Sequence, residues 1–127
     1  MSEKICLFCN LPDNRIIASS PLALVIRDAY PVSPGHTLII PKRHMGSFFE
    51  TTTEERLELL NLLDQAQLDL LKEFDPTAFN IGINDGVAAG QTIAHVHIHL
   101  IPRYINDRPD PRGGVRWIIP DKAKYWS

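Results

Sequence analysis

The most regular pattern in this chain is the alternation of histidine with aliphatic residues between positions 95 and 101. Alternate side chains of a β-strand point to opposite faces, so His95, His97 and His99 are predicted to share one face. We therefore predict a strand over residues 93–101 that packs by its aliphatic face. A neutral imidazole is a good nucleophile, and this row holds three of the chain's five histidines, so it is the candidate active site.

The segments around this row predict further short strands. Apolar runs bounded by turn residues predict four further strands, at residues 16–19, 22–27, 37–40 and 78–84. The last of these is joined to the histidine strand by a glycine-containing loop, which suggests an antiparallel hairpin. The tail from about residue 103 contains three prolines and two consecutive glycines, so it is predicted to be irregular.

One long helix is predicted to begin at about Thr52 and to end at about Phe74. Thr52 and Glu55 have the S/T-x-x-E spacing of a capping box, and Asp75 followed by Pro76 ends the segment. The leucines between these limits fall near helical spacing, which predicts one apolar side. That predicted side comprises Leu57, Leu60, Leu63, Leu70, Leu71 and Phe74.

Length and composition indicate one small domain. A chain of 127 residues can bury a real core but is too short for two ordinary domains, so residues 1–127 are predicted to form one domain. Lys and Arg total 13 against 15 Asp and Glu, which argues against a nucleic-acid-binding surface. The apolar stretch near the N-terminus is too short for a secretory signal or a membrane span, so we expect a cytoplasmic protein without a membrane partner.

The histidine row resembles the His-x-His-x-His signature of the histidine triad (HIT) family of nucleotide hydrolases and transferases. Residues 34–44 resemble a strand and turn of that family, and residues 84–92 resemble its phosphate loop. The match runs in order from Phe8 to about Arg103, and the tail resembles a bacterial subgroup. The resemblance implies an α+β fold: an antiparallel sheet of about five strands, one long helix and a short N-terminal helical segment.

The resemblance also implies a division of chemical roles. It assigns the nucleophile to His97, whose ring attacks the α-phosphorus of a nucleotide while its other nitrogen donates to the backbone carbonyl of His95. His36 is expected to orient a neighbouring group. The expected donors to the phosphoryl oxygens are His99, Asn84, Gln91 and Thr92. Taken alone, the last three also fit an ordinary turn or strand edge.

The nucleoside is expected to lie in an apolar cleft formed by the early strands. Asp28 matches the family's carboxylate that accepts hydrogen bonds from both ribose hydroxyls. Phe8 and Ile26 match the positions that sandwich the base. From the residues alone, a role for these two in the ordinary core is equally well supported.

Cys6 and Cys9 have the C-x2-C spacing of half a zinc site. The resemblance supplies His44 and His95 as the other two ligands. Four protein ligands leave no open position, so we expect a structural zinc and no catalytic cofactor. The alternatives are a redox pair or two small buried side chains. A catalytic zinc shared by all three histidines of the row is disfavoured, because alternate strand residues lie about 6.7 Å apart.

The predicted function is hydrolysis at the α-phosphate of a nucleotide through a nucleotidyl-histidine, on dinucleoside polyphosphates such as diadenosine tetraphosphate. One alternative is a nucleoside phosphoramidase, and another is a nucleotide-binding or partner-binding module whose hydrolysis is incidental. The expected partner is a small nucleotide, with no nucleic acid. The family further implies a homodimer with the helix and C-terminal segment near the interface, and Trp117 and Trp126 across a partner's cleft.

Overall fold

The computed structural model describes residues 5–127, so the first four residues of the predicted domain lie outside the described part. The fold is an antiparallel five-stranded sheet with the order β1-β2-β3-β5-β4. The strands are β1 (Ile16–Ser19), β2 (Ala23–Arg27), β3 (Thr37–Pro41), β4 (Ala78–Gly82) and β5 (Ile98–Arg103). Two 3-10 turns, Leu7–Cys9 and Asp13–Arg15, precede the sheet. The predicted α+β class and its elements are confirmed.

The long helix α1 spans Thr53–Glu73 and begins with the predicted capping box. Thr52 Oγ1 accepts from the Glu55 amide, and Glu55 Oε1 accepts from the Thr52 amide, which satisfies two amides that the helix start leaves unpaired. Glu55 also pairs with Arg43 at 2.8 Å, so its buried carboxylate has a countercharge.

The helix face that packs on the sheet differs in part from the prediction. Leu59, Ala66 and Leu70 are buried against the sheet, whereas Leu57, Leu60 and Leu71 of the predicted apolar side are exposed. Leucines occur on two sides of this helix, and the spacing pattern alone could not decide which side the sheet would cover.

The sheet has a core on each face. One face packs on α1 through residues such as Val25, Ile39 and Leu100. On the other face, Ile26 and Leu38 pack with further buried residues beneath the N-terminal segment. Strands β2 and β3 are therefore buried on both faces, and they form a rigid base beside the histidines.

The histidine strand is shorter than predicted at its N-terminal end. Strand β5 begins at Ile98, so only His99 of the row lies within it, and His95 and His97 precede it in non-strand backbone. The Val96 amide donates to the carbonyl of Met45 instead of to a strand. Because β5 pairs with β3 only through residues 37–39, the chain before Ile98 is able to leave the sheet and reach the N-terminal segment.

The C-terminal tail is more ordered than predicted. It contains a 3-10 turn, Gly114–Ile118, and a short helix α2, Pro120–Ala123. The Arg116 guanidinium donates to the backbone carbonyls of Lys122 and Ala123, which ties these two elements together. Among residues 5–127, no helix has the length and apolar character that crossing a membrane requires.

Candidate active site

A cleft of about 440 Å³ lies where the N-terminal segment, β3, the chain before β5 and the loop after β4 meet. Cavities of this size are typical of small-molecule sites. The structure brings eight of the sequence-predicted catalytic and substrate-binding residues to its walls. They are Phe8, Asp28, His36, Asn84, Gln91, Thr92, His97 and His99.

A single hydrogen bond sets the tautomer of His97. Its Nδ1 lies 2.9 Å from the carbonyl oxygen of His95. A carbonyl oxygen can only accept, so Nδ1 carries the proton and Nε2 of the neutral ring keeps its lone pair. The ring is 9% exposed and lines the cleft, with Phe8 packed edge-on at 5.0 Å between centroids. Nε2 of His97 is thus equipped to attack an electrophile.

A second chain of hydrogen bonds fixes His36 and His99. The Val32 amide donates to His36 Nδ1 at 3.1 Å, and His36 Nε2 lies 2.9 Å from His99 Nδ1. An amide can only donate, so the proton of neutral His36 is on Nε2, which donates to His99. The proton of neutral His99 must then be on Nε2, which makes that nitrogen a hydrogen-bond donor.

Burial keeps these two rings neutral. Desolvation, with smaller contributions from the nearby His97 and His36, lowers the pKa of His99 to about 4. Desolvation also lowers the pKa of His36, although the charge of Asp28 opposes this shift. Both rings are therefore uncharged at neutral pH, as the hydrogen-bond chain requires.

Asp28 lies at the end of β2, where the predicted ribose-binding carboxylate was expected. Its Oδ1 accepts from the Tyr30 amide at 2.8 Å, and its Oδ2 lies 3.4 Å from His36 Nε2. The carboxylate is therefore held at the cleft wall by a backbone donor, while its second oxygen is only weakly engaged.

The loop after β4 carries three residues that were predicted to contact phosphate. The side chain of one of them already makes hydrogen bonds within the protein. Gln91 accepts from the Gly86 amide and donates to the carbonyls of Gly46 and Ile93. Both ends of its amide therefore stabilise the loop. Asn84 and Thr92 also line the cleft, and they make no side-chain hydrogen bond within residues 5–127. The structure thus favours these two over Gln91 as donors to a ligand.

The apolar walls of the cleft differ from the prediction at one position. Phe8 lines the cleft, but Ile26 is fully buried beneath it and does not reach the surface. The apolar walls are completed by Leu11, Leu38 and Ile93, which sequence reasoning missed. Alternation along β3 from His36 to Leu38 is the signal that could have identified one of them.

The four predicted metal ligands converge near Nδ1 of His95. The ligand atoms of Cys6, Cys9, His44 and His95 all lie within 4.8 Å of one another. His95 Nδ1 lies 3.4 and 3.5 Å from the two sulfurs and 3.2 Å from His44 Nδ1. A tetrahedral zinc with ordinary bond lengths requires ligand separations of about 3.4–3.8 Å, the largest between the two sulfurs.

The chemistry of His95 also fits a metal ligand. Its Nε2 lies 2.7 Å from the carbonyl oxygen of Pro41, so the proton is on Nε2 and the lone pair is on Nδ1, which faces the sulfurs. A hydrogen bond from the distal nitrogen to a carbonyl is the usual support of a ligating histidine. The four residues therefore fit a structural zinc.

Comparison with known proteins identifies the family. A family model described as the HIT domain matches residues 11–106. The chain belongs to the HIT domain family. The resemblance inferred from the sequence, and with it the prediction of a HIT-family hydrolase, is confirmed.

Three HIT proteins illustrate the range of its relatives. An asymmetrical bis(5'-nucleosyl)-tetraphosphatase of Schizosaccharomyces pombe is 38% identical, over 71% of this chain and 50% of that protein. The adenylylsulfatase HINT3 of Arabidopsis thaliana is 36% identical, over 80% of this chain and 54% of that protein. A crystal structure of a Zn-bound histidine triad family protein from Mycobacterium smegmatis has a TM-score of 0.72 at 30% identity and covers 93% of each chain.

The half-buried, neutral ring of His99 predicts a pH dependence of stability. The ring ionises near pH 6.5 in the unfolded chain but near 4 in the fold, so only the unfolded state gains a proton between these values. The contribution of the neutral His99 ring to the free energy of unfolding is complete above pH 6.5 and is lost as the pH falls towards 4. Urea unfolding of the wild type and of His99→Gln at pH 7.5 and pH 5 measures it.

We expect the wild type to lose about 2 kcal/mol more than His99→Gln between these two pH values. The variant is the matched control because it keeps the other four histidines, including both histidines of the metal-ligand set. Equal losses in the two proteins would contradict the assignment of a depressed pKa to His99.

Proposed function

We propose that this protein hydrolyses nucleotides at the α-phosphate through a nucleotidyl intermediate on His97. The supporting observation is the hydrogen bond from His97 Nδ1 to the His95 carbonyl, which leaves Nε2 unprotonated in the cleft. In the first step the Nε2 lone pair forms a bond to phosphorus. The bond from phosphorus to the bridging oxygen breaks, and its electron pair leaves with that oxygen.

Water completes the reaction in the second step. Its oxygen bonds to phosphorus, the bond from phosphorus to nitrogen breaks, and the lone pair returns to His97 Nε2. The proton lost by water goes to solvent or to the departing phosphate. Two displacements of this kind replace one difficult attack by water on an anionic phosphate.

His99 is proposed as the nearest donor to the reacting oxygens. Its ring centroid lies 4.9 Å from that of His97, and its Nε2 carries the proton because His36 donates to its Nδ1. A neutral donor of fixed orientation stabilises negative charge that develops on phosphoryl oxygens. His36 acts through His99 and is therefore a positioning residue. Asn84 and Thr92 are proposed as further donors from the loop side.

The proposed binding of the nucleoside uses the apolar part of the same cleft. Phe8, Leu11 and Leu38 offer apolar surface to a base. Asp28 presents a carboxylate oxygen to the ribose hydroxyls, which are the only adjacent pair of donors on a nucleoside sugar. Ile26 supports Phe8 from below instead of touching the ligand.

The proposed substrates are dinucleoside polyphosphates such as diadenosine tetraphosphate. The tetraphosphatase among the relatives acts on molecules of this class, as its name states. The name of the adenylylsulfatase among them makes sulfate a second candidate leaving group. A nucleoside phosphoramidase remains the alternative enzyme, and a nucleotide-binding module with incidental hydrolysis remains the alternative of another class. Comparison of turnover on diadenosine polyphosphates with turnover on an adenosine phosphoramidate separates these functions.

A structural zinc is proposed between Cys6, Cys9, His44 and His95. It would clamp the N-terminal segment, which carries Phe8, to the chain that carries the nucleophile. The Zn-bound relative supports the proposal, together with the ligand separations described above. The metal would take no part in the reaction, because four protein ligands leave no position for substrate or water.

A homodimer is proposed through the exposed side of α1. One side of this helix carries four leucines that are 37–57% exposed: Leu57, Leu60, Leu68 and Leu71. Ile81, on the edge strand β4, is also half exposed. Such an apolar surface is costly to leave in water. Sedimentation equilibrium is expected to give twice the chain mass, and a single-chain mass at micromolar concentration would reject the dimer. Trp117 and Trp126 pack within their own tail, and their predicted contact with a partner stays a prediction.

Replacement of the nucleophile tests the proposed mechanism. We expect His97→Asn to lose turnover by at least about a thousandfold, because no lone pair remains to attack phosphorus. Asparagine can still donate to the His95 carbonyl, so nucleotide affinity, measured by calorimetry with AMP, should change little. His99→Asn is the matched control, and it should retain a larger fraction of turnover. Substantial turnover in His97→Asn would remove the nucleophile assignment.

Removal of the two thiolates tests the zinc. We expect about one zinc per chain in purified wild type by elemental analysis and essentially none in a Cys6→Ser, Cys9→Ser double variant. The variant should also lose several kcal/mol of unfolding free energy, because a structural metal contributes its binding energy to folding. Wild-type protein that is fully stable without metal would refute the proposal.

A further inference from the structure

A second and larger cavity adjoins the nucleotide cleft. It measures about 890 Å³, and we call it the tail groove because the C-terminal tail forms one of its walls. Val32 lines both the cleft and the tail groove, so the two spaces meet beside the histidines. Ile101, Arg103, Arg108, Trp117 and Lys124 are among the other residues that line the tail groove.

The tail groove continues the face of β5 that carries His99. The residues of β5 alternate between buried and half-buried, and the half-buried set is His99, Ile101 and Arg103. Leu100, on the opposite face, packs against α1. With a strand rise of about 3.3 Å per residue, Ile101 and Arg103 lie about 7 and 13 Å along the strand from His99. A linear substrate held at His99 can therefore extend into the groove.

The charge available in the tail groove is positive. Both carboxylates that line it, Asp107 and Asp110, are paired with Arg103 and Arg112, and these partners hold the pKa of each carboxyl below its usual range. Arg108 makes no ion pair or side-chain hydrogen bond within residues 5–127, and the same is true of Lys124.

Arg108 and Lys124 thus place positive charge in the groove, although the whole chain has a net charge of −2. This positive charge is therefore a local feature of the groove. A polyphosphate is the complementary ligand, since Lys and Arg both bind phosphate oxygens by charge-assisted hydrogen bonds.

An aromatic ring also lines the groove. Trp117 is 43% exposed, and its Nε1 donates to the carbonyl of Arg112 at 2.8 Å, so the orientation of its indole is fixed. Gly113, with φ of +96°, lets the tail pass close to this ring, because a Cβ at this position would lie 3.2 Å from Trp117 Nε1. A fixed and partly exposed indole is a stacking surface for a flat heterocycle.

We propose that the tail groove binds the leaving half of a dinucleoside polyphosphate: its distal phosphates at Arg108 and Lys124, and its second base at Trp117. This inference rests on the proposed function and names the substrate part that lies beyond the scissile bond. For diadenosine tetraphosphate, His97 Nε2 bonds to the α-phosphorus of the adenosine in the cleft. The bond to the bridging oxygen breaks, and ATP departs through the groove with that electron pair.

Paired substrates test the groove. Diadenosine tetraphosphate reaches it, whereas adenosine 5'-phosphoramidate fills only the cleft and ends at the scissile bond. We expect the Arg108→Ala, Lys124→Ala double variant to lose about tenfold or more in kcat/KM for the first substrate and less than about twofold for the second. Lys122→Ala is the matched control, because this exposed lysine of the same tail does not line the groove. Equal losses on both substrates, or no loss on either, would overturn the proposal.

A third substrate isolates the aromatic contact. Adenosine 5'-tetraphosphate has the phosphates but lacks the second nucleoside. We expect Trp117→Leu to lower kcat/KM for diadenosine tetraphosphate several-fold more than for adenosine 5'-tetraphosphate, since only the former has a base to stack. Equal effects on these two substrates would remove Trp117 from the proposal.

A binding measurement separates failure of the groove from failure of the proposed function. Calorimetry in the His97→Asn background compares diadenosine tetraphosphate with AMP and does not depend on turnover. The double groove variant is expected to weaken binding of the first about tenfold and to leave AMP unchanged. If wild type cleaves neither substrate but this selective loss is seen, the groove stands and the hydrolase proposal falls. If affinity for both ligands is unchanged, the groove proposal falls.

Discussion

The hydrogen bond from His97 Nδ1 to the carbonyl of His95 is the interaction on which the site depends. It places the single proton of a neutral imidazole on one nitrogen and leaves a lone pair on the other. The carbonyl of His95 is held in turn, because the ring of the same residue is fully buried and is hydrogen-bonded to the carbonyl oxygen of Pro41. The proposed metal-ligand set and the proposed nucleophile therefore share one residue: the ring of His95 faces the cysteines, and its backbone carbonyl orients His97.

The same logic extends to the donor side of the cleft. Backbone groups have fixed roles, so the Val32 amide determines the tautomer of His36, and His36 determines that of His99. The depressed pKa values of both rings keep this order of protons intact at neutral pH. The proposed nucleophile, His97, and the proposed donor, His99, thus lie side by side as opposite tautomers, although both belong to one short segment.

Sequence reasoning named most of the residues that the fold brings to one cleft, because the histidines and the elements around them are local features with strong periodicity. It could not determine that His95 and His97 leave the sheet, since that depends on where pairing between β3 and β5 ends. Ile26 lies on a strand buried on both faces, and sequence alone could not exclude it from the cleft wall. The hydrogen bond from Gln91 to Gly46 and the tail groove depend on contacts between distant segments, which carry no signal in a single sequence.

The tautomer of His97 is the most direct test of this account. Nitrogen-15 NMR of histidine-labelled protein at pH 7.5 distinguishes a protonated ring nitrogen from a bare one, and the His97→Asn variant assigns the resonance. The account predicts a proton on Nδ1 and an unprotonated Nε2 for His97. A proton on Nε2, or one shared by rapid exchange between the two nitrogens, would contradict it.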